Sequence, residues 1–258
     1  MGSRTAQLQA FERLLDIMDE LREKCPWDRK QTFETLRHLT IEETYELGDA
    51  ILDNDLEEIK KELGDLLLHI VFYSKIGSEK KAFDIADVAN QISDKLIHRH
   101  PHIYGETDVE DADQVVKNWE DIKLKEGKKS VLEGVPKSLP ALVKAYRIQD
   151  KVSGVGFDWD QKEAVLEKVK EELDELRTEI DAGDSKKMEA ELGDVMFSLV
   201  NYARFLKVNP ENALERTNKK FIKRFNYIEE KAKKSQRKVS ELSIEEMEIL
   251  WQEAKKTD

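Results

Sequence analysis

The chain has 258 residues, of which 38% are charged and 39% hydrophobic, and its 55 acidic side chains outnumber its 43 basic ones. This length is enough for one large domain or two ordinary ones, and the acidic excess argues against a nucleic-acid-binding protein, which normally carries a basic face. Cys25 is the single cysteine, which excludes an intrachain disulfide and favours a reducing, cytoplasmic location. Charged residues occur too frequently near the start of the chain for a signal peptide, and no apolar run is long enough to span a membrane. We therefore expect a soluble protein without a membrane partner.

Helical periodicity begins at the start of the chain, where apolar residues from Leu8 to Leu21 recur three and four positions apart until Pro26 ends the run. Further predicted helices cover roughly residues 32–52, 56–76, 83–99, 112–126, 139–152, 161–181, 185–206, 210–234 and 243–256. No segment alternates with period two for long enough to predict a sheet. The sequence therefore predicts an all-α protein.

The helical pattern is interrupted at residues 127–140, where GKKSVLEGVPKSLP carries two glycines and two prolines. We predict an N-terminal domain over residues 1–126, a linker over 127–137 and a C-terminal domain over 138–258. The two halves repeat each other, since IEETYELGDAILDNDLEEIKKELGDLLLHIVFY (41–73) matches KEELDELRTEIDAGDSKKMEAELGDVMFSLVNY (170–202) at a constant offset of 129 residues. The expected architecture is a tandem of two related helical bundles.

Both repeats carry the acidic pattern E-E-x-x-E, fifteen residues, then E-x-x-D. In the first repeat the last four acids are Glu43, Glu46, Glu62 and Asp65, and in the second they are Glu172, Glu175, Glu191 and Asp194. If each repeat is a helical hairpin that turns near Asn54 or Gly183, these acids lie at matching heights on facing helices. In the first repeat an apolar stripe of Leu63, Leu66, Leu67 and Ile70 flanks them, so we expect the acids at the edge of the core.

Four carboxylates that converge in this way suit a hard divalent cation, Mg²⁺ or Mn²⁺, because such ions prefer oxygen ligands. The alternative is a solvated acidic helix face, which is the usual setting of glutamate. The repetition of identical spacing favours metal binding, with a possible second metal site in the first repeat.

Segments outside the acidic pattern carry a family resemblance. They are CPWDRKQTFETL, DKLIHRHPHIYG at 94–105, NWEDIK at 118–123, SLPALVKA at 138–145, VGFDW at 155–159, NKKFIKRF at 218–225 and LWQEAK at 250–255. With the acids, they resemble the two-domain MazG proteins of the all-α nucleoside triphosphate pyrophosphohydrolase superfamily. The resemblance implies an enzyme that binds ATP and related nucleotides and hydrolyses them to the monophosphate and pyrophosphate with Mg²⁺, usually as a homodimer.

The resemblance also implies that the second repeat is the catalytic unit. Its metal ligands would be Glu172, Glu175, Glu191 and Asp194, with Glu171 beside them. Its nucleotide contacts would be Lys168, Lys187, Lys220, Arg224 and Trp251, with Lys123 as a further candidate.

The residue chemistry agrees with these roles. Lys168 and Lys187 each stand four residues before a predicted metal ligand, where an ammonium could hold phosphate. The candidate catalytic residues are Glu171, Glu172 and Glu175, of which the first or the last could take the proton of the attacking water. Trp251 could stack on any base, so broad base tolerance is expected.

The first repeat departs from this pattern at both lysines. Leu39 and Glu58 occupy the positions of Lys168 and Lys187, so we expect no lysine near its acids and a structural or regulatory role. For the whole chain, the alternative function is a non-catalytic helical regulator that binds nucleotide or protein.

Overall fold

The computed structural model describes residues 2–109, 111, 114–115, 118–119, 122, 126 and 130–256. It divides into two compact units, Met1–Val109 and Glu110–Asp258. Every regular element among the described residues is a helix, so the all-α prediction is confirmed. None of these helices is long and apolar enough to cross a membrane. The predicted helix at 112–126 and the start of the linker lie mostly outside the described residues, and the predicted domain limits stay a prediction.

The N-terminal unit consists of helices joined by short turns. They are α1 (Arg4–Lys24), a 3₁₀ turn (Asp28–Lys30), α2 (Phe33–Asp53), α3 (Leu56–Glu79), α4 (Ile85–Arg99) and the single turn α5 (Pro101–Tyr104). The predicted bounds agree within a few residues. Helix α2 begins where predicted because the Thr32 hydroxyl accepts the backbone N–H of Thr35, whose own side chain accepts that of Thr32.

The C-terminal unit is built in the same way. Its helices are α6 (Ala141–Ser153), α7 (Lys162–Ala182), α8 (Ser185–Phe205), α9 (Pro210–Lys234), a 3₁₀ turn (Val239–Glu241) and α10 (Ile244–Lys255). Helix α7 pairs with α8, helix α6 packs against α8 and α9, and α10 packs against α9. These bounds also agree with the periodicity of the sequence.

The two predicted hairpins, α2–α3 and α7–α8, turn at equivalent residues. Asn54 (φ 55°) and Gly183 (φ 73°) end the first helix in the left-handed conformation, which these two residue types adopt most readily. The carboxylate of Asp55 then accepts the first backbone N–H groups of α3, and Asp184 does the same for α8. The predicted turns are therefore confirmed. The two hairpins turn at equivalent residues, so equivalent positions of their helices are aligned in the same way.

The core of the N-terminal unit lies between α1, α2 and α3. Its buried members are Met18, Leu36, Val71, Phe72 and Ile76. The expectation that the whole stripe borders the core is wrong for Leu63, Leu67 and Ile70, which are 38–52% exposed, whereas Leu66 is half-buried. Helix α3 has two apolar faces, and α1 covers only the one that carries Val71 and Phe72.

The C-terminal unit leaves the same stripe uncovered. Leu192, Met196 and Leu199 on α8 correspond to Leu63, Leu67 and Ile70 on α3, and they are 48–53% exposed. The buried apolar side chains nearby are Val195 and Val200, which do not belong to the stripe. Both hairpins thus present an apolar stripe at the same positions.

Candidate metal and nucleotide site

Three predicted metal ligands of the C-terminal unit come together between the arms of its hairpin. Glu172 and Glu175 on α7 and Glu191 on α8 each offer a carboxylate oxygen, and these oxygens lie within 4.8 Å of one another. We call this group the C-terminal cluster. Glu172 is 7% exposed, so one ligand sits at the base of the cluster and the others lie closer to solvent. The fourth predicted ligand, Asp194, is exposed and lies outside this close group.

The electrostatics of the C-terminal cluster suit a cation. Partial burial, followed by the negative charges of Glu175 and Asp194, raises the pKa of Glu191. A bound cation would offset that repulsion, and a set of carboxylate oxygens matches the preference of Mg²⁺ and Mn²⁺. The residues present therefore fit the hard divalent ion that the acidic pattern predicts.

Lys168 lies at the edge of the C-terminal cluster, as the sequence predicts. Its Nζ atom is 2.8 Å from Glu171 Oε1 and 2.8 Å from Glu172 Oε1. The hydrogen bonds to these two carboxylates raise the pKa of Lys168 well above its usual range, so it is fully charged at neutral pH. Lys187 is placed differently, since its Nζ atom lies 3.5 Å from Glu179 Oε2 across the hairpin.

A second group of predicted residues lies where α9 meets α10. The guanidinium of Arg224 lies over the half-buried ring of Trp251, 5.5 Å from its centroid, and the ring centroids of Phe221 and Trp251 are 5.1 Å apart. Lys220 is exposed on α9. A cavity of about 440 Å³ adjoins Arg224 and is also lined by Lys219, Lys223 and Tyr227. Lys123 lies outside the described residues.

An ion pair fixes the helix that carries Trp251. The Arg237 guanidinium donates to both carboxylate oxygens of Glu246 at 2.7 and 3.0 Å. The same carboxylate accepts the backbone N–H of Ser243 at 2.7 Å and so caps α10. The guanidinium, and then the cap, lower the pKa of Glu246 to about 2. Sequence analysis missed this pair, although the pattern S-x-x-E before an apolar run is a helix-start signal.

The N-terminal unit assembles an equivalent group, the N-terminal cluster. Glu43 and Glu46 on α2 and Glu62 on α3 bring carboxylate oxygens within 4.8 Å of one another. Glu62 is fully buried, and its Oε2 atom has no hydrogen-bond partner among the described residues. Burial and then the charge of Asp65 raise the pKa of Glu43. The structure thus pairs each repeat with its own carboxylate cluster.

The expectation of no lysine near the N-terminal cluster is wrong. Lys61 Nζ lies 2.9 Å from Glu62 Oε1 and 2.6 Å from Glu58 Oε1. The corresponding position of the second repeat is Ala190, so the two clusters receive their lysines from opposite arms of the hairpin. A search for lysines three residues after an acid would have found Lys61.

Comparison with known proteins bears directly on both hairpins. The family model described as "MazG nucleotide pyrophosphohydrolase domain" matches residues 31–104 and 160–228, which contain both clusters. The chain belongs to the MazG family. It is 46% identical over 253 residues to a protein named nucleoside triphosphate pyrophosphohydrolase/pyrophosphatase MazG from Thermotoga maritima, covering 96% of each chain.

Two further similarities were found within the family. A nucleoside triphosphate pyrophosphohydrolase from Escherichia coli K12 is 40% identical over 260 residues, covering 97% of this chain and 99% of that protein. A crystal structure of a MazG-related protein from Thermotoga maritima matches with 28% identity and a TM-score of 0.40, over 44% of this chain and 98% of that one. The family matches confirm the prediction of a MazG enzyme that hydrolyses phosphoric anhydrides.

Proposed function

We propose that the chain hydrolyses nucleoside triphosphates to monophosphate and pyrophosphate at the C-terminal cluster, with Mg²⁺ as the cofactor. The observation that carries this proposal is the convergence of Glu172, Glu175 and Glu191 beside a charged Lys168. The printed names of relatives that are 46% and 40% identical over nearly the whole chain point to the same reaction.

The cluster would hold Mg²⁺ through Glu172, Glu175 and Glu191, with Asp194 beside them. When bound, the ion supplies positive charge that offsets the negative charge of the phosphate oxygens. Lys168 is oriented to the same place, because its ammonium already contacts the Glu172 carboxylate. In the complex, this ammonium binds a phosphate oxygen and stabilises the charge that develops on the departing pyrophosphate.

The proton of the attacking water goes to a carboxylate of this chain. Glu171 is the best placed, because it is mostly exposed and its present partner is Lys168. When Lys168 turns to the phosphate, the Glu171 carboxylate is free to accept the proton as the water oxygen bonds to the α-phosphorus. The bond between the α-phosphorus and its bridging oxygen breaks, which yields the monophosphate and pyrophosphate.

The remaining predicted contacts would hold the rest of the nucleotide. Arg224 and the exposed Lys220 supply positive charge along α9, and Trp251 offers an aromatic ring that Arg224 keeps in place. Stacking on an indole requires no particular pattern of donors and acceptors, so broad base tolerance follows. Lys187 would have to leave Glu179 before it could take part.

A homodimer is also part of the proposal. The exposed stripe on α8 and its equivalent on α3 are apolar, begin one residue after Glu191 and Glu62 and recur at identical positions in both units. A second copy of the chain would remove these side chains from water, which is favourable for apolar surface. The N-terminal unit would then serve mainly in dimerisation and regulation. A cytoplasmic location stays a prediction.

The reaction is tested by chromatography of the products from ATP and other nucleoside triphosphates, with Mg²⁺ and with a chelator. We expect AMP and pyrophosphate from ATP, full dependence on the divalent ion and similar rates for several bases. Glu172→Gln should lower turnover roughly a hundredfold or more, whereas Glu43→Gln in the other cluster should leave most of it. ADP and orthophosphate as products would reject this reaction, and no hydrolysis at all would favour a non-catalytic regulator.

A further inference from the structure

Lys61 occupies a distinctive place in the N-terminal cluster. It follows the acid Glu58 by three residues and precedes Glu62 directly, and its ammonium contacts both carboxylates. Its neighbour Lys60 points elsewhere and pairs with Glu57, with both of those side chains largely exposed. Of these two adjacent lysines of α3, Lys61 therefore contacts the cluster and Lys60 does not.

The cluster itself needs positive charge. Glu62 is fully buried, and Glu43 and Glu46 bring carboxylate oxygens within 4.8 Å of it. One Glu62 oxygen, Oε1, receives Lys61, whereas Oε2 is buried and has no hydrogen-bond partner among the described residues. A buried carboxylate oxygen without a donor is costly unless a cation approaches it. The unpartnered oxygen therefore points to a cation site in addition to the lysine.

We propose that Lys61 is a built-in counter-cation of the N-terminal cluster, which binds divalent cations through Glu43, Glu46 and Glu62 but only against the repulsion of the Lys61 ammonium. A divalent ion held by Glu62 would lie close to the Lys61 ammonium, because Lys61 Nζ is 2.9 Å from Glu62 Oε1. For charges separated by roughly 6 Å in water-like surroundings, the repulsion between a single positive charge and a divalent ion lowers the affinity for the ion about tenfold. Lys61 is 60% exposed, so the water-like value applies.

This inference concerns cation binding by the N-terminal unit and does not depend on hydrolysis at the C-terminal cluster. The two clusters would differ in how their lysine is used. Lys168 reaches its cluster from α7 and is proposed to move to substrate phosphate, whereas Lys61 sits on α3 and is tied to two carboxylates of its own helix. The N-terminal cluster would thus be a weak divalent site that loads only at higher cation concentration.

The test measures Mn²⁺ binding directly, by electron paramagnetic resonance of the free ion, in the full chain. The background carries Glu175→Gln and Glu191→Gln, so that the C-terminal cluster does not contribute. Lys61→Gln removes the charge but keeps a hydrogen-bond donor, and we expect the dissociation constant for Mn²⁺ to fall about tenfold. Lys60→Gln is the matched control and should leave the constant unchanged, and Glu62→Gln should abolish the binding.

The reciprocal variant tests the same idea with Lys61 left in place. Ala190 is exposed on α8 at the position that corresponds to Lys61, so Ala190→Lys adds the missing charge to the C-terminal cluster. With Glu43→Gln and Glu46→Gln silencing the other cluster, Mn²⁺ affinity should weaken by a similar factor. Unchanged or weaker Mn²⁺ binding in folded Lys61→Gln would overturn the proposal, as would the absence of Mn²⁺ binding at millimolar concentration. If Lys61→Gln does not fold, an Ala190→Lys variant with unaltered affinity overturns it.

Discussion

At the scale of single residues, Lys168 is the cation whose position supports the proposed chemistry most directly, since it contacts the buried Glu172. Lys168→Met keeps the aliphatic stem and removes the ammonium. Loss of one charge-assisted contact is worth about 1.5–3 kcal/mol, so we expect kcat/KM for ATP to fall on the order of ten- to a hundredfold. Lys162→Met is the control, because Lys162 is largely exposed and pairs with Glu163 in the first turn of α7. Equal steady-state rates for the two variants would remove Lys168 from the mechanism.

At the scale of elements, Arg22 joins three pieces of the N-terminal unit. Its side chain is 9% exposed on α1, donates to both carboxylate oxygens of Glu79 on α3 and reaches the backbone carbonyls of Asp28 and Gln31. Arg22→Met would leave these acceptors without their donor. We expect a loss of about 2–3 kcal/mol in the free energy of unfolding of this unit, measured by calorimetry.

The Arg22–Glu79 contact also predicts a dependence on pH. Hydrogen bonding to Arg22 holds the pKa of Glu79 below its usual range. A lowered folded-state pKa stabilises the unit above the unfolded value of about 4.3, and this stabilisation is lost as the pH falls through the folded-state value. Glu79→Gln should therefore lower the melting temperature at pH 7 and match the wild type in strong acid. Glu20→Gln, which breaks the exposed Glu20–Lys24 pair on α1, should change it little at either pH.

At the scale of the whole molecule, the exposed stripe of Leu192, Met196 and Leu199 predicts the oligomeric state. Met196→Asp combined with Leu67→Asp, at the equivalent position of α3, would place a charge in the middle of both stripes of the proposed dimer interface, where its desolvation is unfavourable. We expect light scattering to give the mass of one chain for this variant and of two chains for the wild type, with unchanged helix content by circular dichroism. Ile244→Asp changes another exposed apolar residue outside the stripe and should keep the dimer. A wild-type chain that is monomeric at micromolar concentration contradicts the interface.

The local features of both hairpins could be predicted from the sequence, because they depend on residues close together in the chain. Helix limits follow from periodicity and from caps such as Thr32 and Asp184, and the turns follow from Asn54 and Gly183, which tolerate positive φ. The turn at Gly183 placed Glu175 and Glu191 at matching heights, and the structure brings them together. Local geometry was sufficient for these features.

Tertiary structure alone decided which faces are covered and which charges meet. Helix α3 has apolar residues on more than one side, and periodicity does not tell whether α1 packs on Val71 and Phe72 or on the stripe of Leu63. The position of Asp65 outside the close group and the contact of Lys61 with Glu62 depend on side-chain direction as well as spacing. By itself, the sequence determined two helical hairpins with acids at matching heights. Burial of Glu62 and exposure of the stripes arise from packing between helices, whereas the lysine of each cluster lies on the same helix as the acids that it contacts.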